Sequence, residues 1–278
     1  MEIKAAEVKE LRAKTGAGMM DCKKALVESA GNFQRAVTIL KELGLAAAAK
    51  RSGKAANEGR VFAKVGESRA GLLEFSSETD FVARNKEFIE AGEKLIGIAV
   101  ENGSADEKIH EVVESVRSRL KENISLKRID TIDVDQNEVA VHYIHGEGKI
   151  GVIVKIAADG GASPTSEVVQ QFAFDCALHV AAYNPAYLTR DDIEASYIAE
   201  QEAIYRKQTK EMEKPEKVIE GIIKGKLNKH LAEVVFVEQG FVKEEKTKVA
   251  DVAKRISKEV GGEVRVSDYR YFRVGDTE

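Results

Sequence analysis

Tryptophan is absent from this sequence of 278 residues, and proline and cysteine are rare. With only three prolines, long helices can run without a break. The two cysteines, Cys22 and Cys176, lie far apart and have no neighbours at metal-ligand spacing, which predicts small apolar fillers in a reducing compartment. The opening Met1–Lys4 lacks the apolar core of a signal peptide. Because no segment approaches the roughly 20 apolar residues of a membrane helix, we expect a cytoplasmic chain without membrane contact.

The composition is that of an ordinary folded protein, with 43% hydrophobic and 32% charged residues. The formal net charge of −4 argues against nucleic acid as a direct partner, because neutralising phosphates requires a concentrated basic surface. The length of the chain predicts two or three domains rather than one small core.

The first part of the sequence predicts a bundle of three short helices. Val8 and Leu11 give the first helix an apolar edge, and Gly16 allows the chain to turn after it. Asp21 is expected to cap the second helix, and Gly44 is expected to stop the third. A helical or flexible connector follows.

Two methionines stand beside the glycines of the first turn. Met19 and Met20 are predicted to lie on this loop, where thioether side chains favour an adaptable binding surface. The alternative is that both fill the core of the bundle. A phosphate-binding loop is disfavoured, because no strand precedes Gly16 and Gly18 and no Lys-Ser/Thr pair follows at the required spacing.

A pattern of strand, turn, strand and helix occurs twice. Apolar residues alternate around turns at 66–68 and 146–148, and Arg69–Leu73 is similar to Lys149–Ile153. A second helix over Ile109–Asn123 and a closing strand at 124–132 follow the first copy. We interpret the two copies as a duplicated unit.

The second copy is interrupted by two charged helices. Thr189 is expected to cap the first, whose sparse apolar stripe reaches Met212. Lys214 and Pro215 break it, and Pro215 suits the first turn of the return helix. The pattern predicts a projecting antiparallel coiled-coil hairpin, followed by a helix at 249–260 and a final strand-like segment.

The sequence contains no convincing catalytic constellation, metal site or cofactor motif. His142 and His145 are predicted to lie on opposite faces of a strand, so that they cannot share a metal ion. Neither cysteine has a base near it in the sequence. We therefore predict a binding protein rather than an enzyme.

Phe81 is the most informative residue, because it follows an acid within an otherwise polar and small segment, Ser77–Arg84. A large ring that points outward indicates a partner surface. The alternative places Phe81 in the core of the helix that follows.

Three segments in this order resemble the bacterial elongation factor Ts family. They are Leu11–Leu26 (LRAKTGAGMMDCKKAL), Thr79–Val82 (TDFV), and His145-Gly146 followed by Ile150–Val152. The resemblance covers the whole chain, including the inserted hairpin. Some family members carry a further C-terminal helical module; since this sequence ends at Glu278, no contact of that module is carried over.

The resemblance implies an α+β fold with a ubiquitin-associated-type module, two similar core subdomains with antiparallel sheets, and an inserted coiled coil. The expected divisions are a three-helix module at 1–45, a linker at 46–59, core subdomains at 60–138 and at 139–188 with 231–278, and the hairpin at 189–230.

The resemblance also implies a guanine-nucleotide exchange factor for the GTPase elongation factor Tu, without covalent chemistry of its own. Thr79, Asp80, Phe81 and Val82 would then dislodge Mg²⁺ from the partner, and Met19, Met20 and Lys23 would help to grip it. The alternatives are a translation-associated adaptor or chaperone without exchange activity, and a ubiquitin-binding protein.

Overall fold

The computed structural model describes residues 3–51, 55–104, 106–209 and 215–276. These residues form an α+β structure with ten α-helices and three antiparallel sheets. The helices are α1 Ala5–Thr15, α2 Met19–Glu28, α3 Phe33–Arg51, α4 Asp80–Ala83, α5 Lys86–Asn102, α6 Glu107–Leu120, α7 Glu167–Tyr183, α8 Ala195–Thr209, α9 Glu216–Val234 and α10 Val249–Val260. The strands are β1 Glu58–Val65, β2 Arg69–Ser77, β3 Ser125–Asp133, β4 Glu138–His145, β5 Ile150–Asp159, β6 Gly240–Phe241, β7 Glu244–Lys248 and β8 Glu263–Arg273.

The two large sheets have the same topology. In the first half of the core (β1, β2, α5, α6 and β3) the strand order is β1-β2-β3, and in the second half (β4, β5, α7, α10 and β8) it is β4-β5-β8. Both central strands carry an irregularity in their outer pairing, at Glu74/Phe75 and at Lys155/Ile156. The predicted hairpins are confirmed.

The sheets pack against each other, and each is covered by helices on its other face. Leu72 of β2 and Ile153 of β5 belong to the cluster between the sheets, whereas Leu73 and Val152 belong to the clusters under the helices. Because side chains of a strand alternate between faces, the central strands are apolar on both sides, as in a sheet buried on both faces. A Cβ atom at Gly151 would lie 2.3 Å from Val61 Cγ1, which shows how closely the sheets approach.

Helices α1 to α3 enclose a small cluster of their own, to which Leu11, Cys22 and Leu26 contribute buried side chains. The prediction that both cysteines are buried fillers is confirmed. The expected stop of the third helix at Gly44 is wrong, because α3 continues to Arg51. A single glycine costs a helix about 1 kcal/mol relative to alanine, and the alanines that follow it are strong helix formers. The likeness of this unit to a ubiquitin-associated module stays a prediction.

The insertion in the second half contains α8 and α9. The hydroxyl of Tyr197 lies 2.8 Å from His230 Nε2, and Lys226 donates to Gln208 Oε1 at 3.2 Å, as expected of an antiparallel pair. A coiled coil in the strict sense stays a prediction, and Met212 and Lys214 lie outside the described residues.

Several helix boundaries differ from the predicted ones. Thr189 caps only the three-residue 3₁₀ turn Arg190–Asp192, and α8 begins later. Pro215 precedes α9 as its N-cap instead of lying in its first turn. Helix α6 ends at Leu120 rather than at Asn123, because Lys121 adopts a left-handed conformation with φ of 59°. The short hairpin of β6 and β7 has no strong strand pattern and was not predicted.

Candidate partner-binding site

A short connector, residues 78–85, joins β2 to α5 and contains the single turn α4. Thr79 caps this turn, since its Oγ1 accepts a hydrogen bond from the Val82 N–H at 3.3 Å. Asn85 caps the next helix, since its Oδ1 accepts from the Glu87 N–H at 2.8 Å. Two caps in close succession therefore fix both ends of the connector.

The connector is also tied to the segment that follows α6. The backbone N–H groups of Glu78 and Thr79 both donate to Glu122 Oε2 at 3.1 Å. The Thr79 hydroxyl donates to Glu122 Oε1 at 2.7 Å. In return the Asn123 N–H donates to Glu78 Oε1 at 2.7 Å. This double cross-link holds the backbone immediately before Phe81.

Phe81 points away from the protein, with 82% of its surface exposed. The following Ala83 is only 4% exposed, and Val82 packs against the cluster under α5 and α6. A single helical turn places these neighbours on its inner side and Phe81 on its outer side. The alternative that Phe81 belongs to the core is therefore wrong.

Charged side chains surround the exposed ring. Asp80 Oδ2 lies 3.7 Å from Arg84 Nη2, and Arg84 Nε lies 3.8 Å from Glu147 Oε2 in the turn between β4 and β5. These ion pairs are exposed and the distances between their charged atoms are long, so that they contribute little to stability. They nevertheless link the connector of the first half to a turn of the second.

The α2 surface, defined here as Met19, Met20, Lys23 and Val27, is a second exposed patch. Met19 is 50% and Met20 64% exposed, so the alternative that they fill the bundle core is wrong. The expected loop position is also wrong, because Gly18 caps α2 and the methionines form its first turn, with Asp21 inside the helix. Val27, which is 59% exposed, extends the patch along the same side of the helix.

The end of α6 contacts the helical unit that carries this patch. Lys121 Nζ lies 3.8 Å from Asp21 Oδ2, and a Cβ atom at Gly16 would lie 2.6 Å from Arg119 Cδ. Arg119 also pairs with Glu87 at the start of α5, at 3.5 Å. The α2 surface and the connector therefore both rest on the end of α6.

The predicted site residues thus form two groups. Thr79, Asp80, Phe81 and Val82 lie together on the connector, and Met19, Met20 and Lys23 lie together on α2. Sequence reasoning missed Glu122 and Val27. No local pattern reveals Glu122, whose partners are more than 40 positions away. Val27, in contrast, could have been found from the sequence, because its spacing from Met20 and Lys23 places it on the same side of a helix.

Both cysteines are buried. Burial raises the pKa of the Cys176 thiol, and the adjacent Asp175 charge raises it further, which disfavours the nucleophilic thiolate. His145 Nδ1 is bonded to the Tyr143 hydroxyl at 3.0 Å. Within the described ranges, no three or more side chains of His, Cys, Asp and Glu come together as metal ligands. None of the described helices combines the length and the hydropathy of a membrane span.

Comparison with known proteins places the chain beside translation factors. Residues 78–276 match the family model described as elongation factor TS. Elongation factor Ts of Borrelia recurrentis is 44% identical over 278 residues, which cover 99% of this chain and 100% of the relative. Elongation factor Ts of Treponema denticola is 41% identical over 277 residues, 99% of each chain. The match to the family model begins at Glu78, immediately before Thr79, and the alignments with both relatives extend over nearly the whole chain.

Proposed function

The chain belongs to the elongation factor Ts family and is a translation elongation factor, and from this premise we propose that it acts in the cytoplasm on the GTPase elongation factor Tu. It binds the nucleotide-free form of that GTPase, displaces Mg²⁺ and releases GDP, so that GTP can enter. It needs no cofactor and performs no covalent chemistry of its own.

The observation that carries this proposal is the presentation of Phe81. An aromatic ring that is 82% exposed is unfavourable in water, and the connector beneath it is fixed by two caps and by Glu122. A rigid, outward-pointing apolar group fits an insertion into a partner. It does not fit a surface loop that only links two elements of the core.

Thermodynamic linkage sets the binding free energy that the insertion of Phe81 must supply. The factor weakens GDP binding only by as much as GDP weakens binding of the factor. Burying one phenylalanine contributes about 1.5–3 kcal/mol, and each tenfold change in affinity needs about 1.4 kcal/mol. Phe81 alone therefore accounts for about one to two decades, and the remaining energy must come from a wider grip on the GTPase.

The α2 surface supplies part of that grip. Met19 and Met20 offer exposed thioether chains that adapt to a partner, and Lys23 adds a positive charge one turn further along the helix. Val27 continues the apolar patch. This surface contributes affinity, whereas the connector acts at the nucleotide site.

The other connector residues have distinct roles. Thr79 and Val82 fix the turn, the first as a cap and the second as an anchor in the core cluster. Asp80 is exposed enough to leave its long pair with Arg84 and to compete for the donors or water molecules that support Mg²⁺ in the partner. Its charge would also be favoured beside the N-terminus of a helix in the GTPase.

The test is release of labelled GDP from purified elongation factor Tu in the presence of excess unlabelled nucleotide. Catalytic amounts of this protein should accelerate the release, and each molecule should act on many GTPase molecules. An adaptor or chaperone would bind the GTPase and leave the release rate unchanged. That result would overturn the proposal.

A further inference from the structure

We propose that Glu122 is a positioning residue for Phe81, holding the ring in the outward orientation that nucleotide release requires. This inference rests on the proposed exchange function and extends it to a residue remote in sequence from the connector. Glu122 does not contact the partner in this account. It acts through the backbone and hydroxyl groups of Glu78 and Thr79.

The hydrogen bonds of Glu122 are concentrated on one point of the chain. One carboxylate oxygen accepts the N–H groups of Glu78 and Thr79, both at 3.1 Å, and the other accepts the Thr79 hydroxyl at 2.7 Å. Hydrogen bonds to an ionised acceptor are stronger than those between neutral groups. Thr79 in turn caps α4, whose second residue is Phe81.

Phe81 needs such support because its own ring supplies almost none. With 82% of its surface in water, the ring gains by folding back onto nearby apolar surface. The backbone must resist that collapse. The bonds from Glu122 fix the two residues that lead into α4, and so fix the direction in which the ring leaves the protein.

The conformation of the chain after α6 is suited to this task. Lys121 adopts a left-handed backbone with φ of 59°, which is uncommon for a residue with a side chain. The chain turns there, and the next residue, Glu122, faces the connector. Lys121, together with Arg119 in the last turn of α6, contacts the unit bearing the α2 surface. Through Glu122, the connector that bears Phe81 is therefore held by the end of α6, which also contacts the unit that carries the α2 surface.

The test compares Glu122→Ala and Glu122→Gln with the control Glu111→Ala, which removes an exposed carboxylate from the preceding helix α6. GDP release is measured over a range of factor concentrations, so that the saturating rate separates from the half-saturating concentration. Hydrogen exchange of the Glu78 and Thr79 amides reports the local order of the connector. Melting temperatures show that each variant is folded.

We expect Glu122→Ala to lower the saturating rate about tenfold, which corresponds to about 1.4 kcal/mol. The half-saturating concentration should change little, since the α2 surface is intact, and exchange of both amides should accelerate. Glu122→Gln keeps an accepting oxygen and should recover most of the rate. The double variant Glu122→Ala/Phe81→Ala should release GDP no more slowly than Phe81→Ala alone, because both changes remove the insertion of the Phe81 ring into the partner.

Three results would overturn the inference. The first is an unchanged saturating rate in Glu122→Ala. The second is a rate reduction in the double variant equal to the product of the two single reductions. The third is unchanged hydrogen exchange of the Glu78 and Thr79 amides in Glu122→Ala. A fall in melting temperature as large as that of a core variant would show a general structural role instead. If the unaltered protein fails to accelerate GDP release, the proposed function fails first. In that case amide exchange alone still shows whether Glu122 orders the connector.

Discussion

The two halves of the core share strands, helices and topology, but they differ in the segment that joins the central strand to the first helix. In the first half this connector carries Phe81, which is 82% exposed. In the second half the corresponding segment, 160–166, is made of small and polar residues, and the Ser163 and Thr165 hydroxyls bond to each other at 2.8 Å. The two halves therefore share a framework of strands and helices, whereas this surface segment differs between them.

This difference separates the requirements of folding from those of partner binding. The shared elements bury apolar side chains, and either half needs them to form a core. The connector of the first half does the opposite, since it exposes a ring at a cost and holds it there. Functional groups on connectors supported by a rigid framework are a common arrangement.

Phe88 provides the strongest test of what the framework requires. It is fully buried on α5 and stacks on Phe75 with ring centroids 4.5 Å apart. Phe88→Ala should lower the free energy of unfolding by about 3–5 kcal/mol, measured by urea denaturation. The control, Phe174→Ala on α7 of the second half, removes a ring that is 41% exposed and should cost much less. Equal losses would mean that exposure does not separate core from surface in this molecule.

The junction of the halves gives the next prediction. Glu74 is 2% exposed and accepts from Arg128 Nε at 2.9 Å and from the Gly275 N–H at 2.9 Å. Arg128→Ala leaves this carboxylate buried without its cation and should cost about 3 kcal/mol of unfolding free energy. Arg69→Ala, which breaks a more exposed pair with Asp133, should cost less than about 1 kcal/mol. Similar small losses for both would show that the halves do not depend on this pair.

The α2 surface tests whether the grip is separate from the connector. Met20→Ser should weaken binding to nucleotide-free elongation factor Tu by about tenfold, because it removes one partly buried side chain from the complex. The melting temperature should not change, since Met20 is exposed. Isothermal titration calorimetry measures the affinity, with Lys9→Ser on the outer side of α1 as the control. Unchanged affinity for Met20→Ser would remove this surface from the account.

We expect His179 to make the second half sensitive to acid. Its Nδ1 accepts from the Val242 N–H at 3.1 Å, so its Nε2 donates to Gln239 Oε1 at 2.9 Å. Burial lowers the pKa of this neutral imidazole below 6.5. The unfolded chain therefore binds the proton first as pH falls, and stability should decline below about pH 6.5.

Unfolding measured by urea at several pH values between 5 and 8 checks this prediction, with His179→Gln as the comparison. The variant should be less stable at neutral pH but should lose less on acidification. An identical pH dependence in both proteins would show that His179 does not control it.

Local patterns predicted much of the framework, because strand alternation and helix periodicity depend on residues that are close in the sequence. Alternation around the 66–68 and 146–148 turns located both hairpins, and the helix at 249–260 has the expected bounds. The misplaced boundaries have local causes as well. Gly18 rather than Asp21 caps α2, and the alanines after Gly44 continue α3.

The candidate site was only half predictable. The setting of Phe81 left both a core position and an exposed ring open, and the resemblance to the elongation factor Ts family favoured the exposed ring. The support beneath it depends on Glu122, which three helices, α4, α5 and α6, separate from its partners in the sequence. Such a contact is set by tertiary packing and leaves no periodic trace in the sequence.

In the proposed function, Phe81 serves the partner and not the fold. The most direct measurement is the rate of GDP release from elongation factor Tu with Phe81→Ala, taken together with the melting temperature of that variant. We expect Phe81→Ala to slow the release by about 10- to 100-fold at an unchanged melting temperature. Full activity, or a loss of stability similar to that of Phe88→Ala, would contradict it.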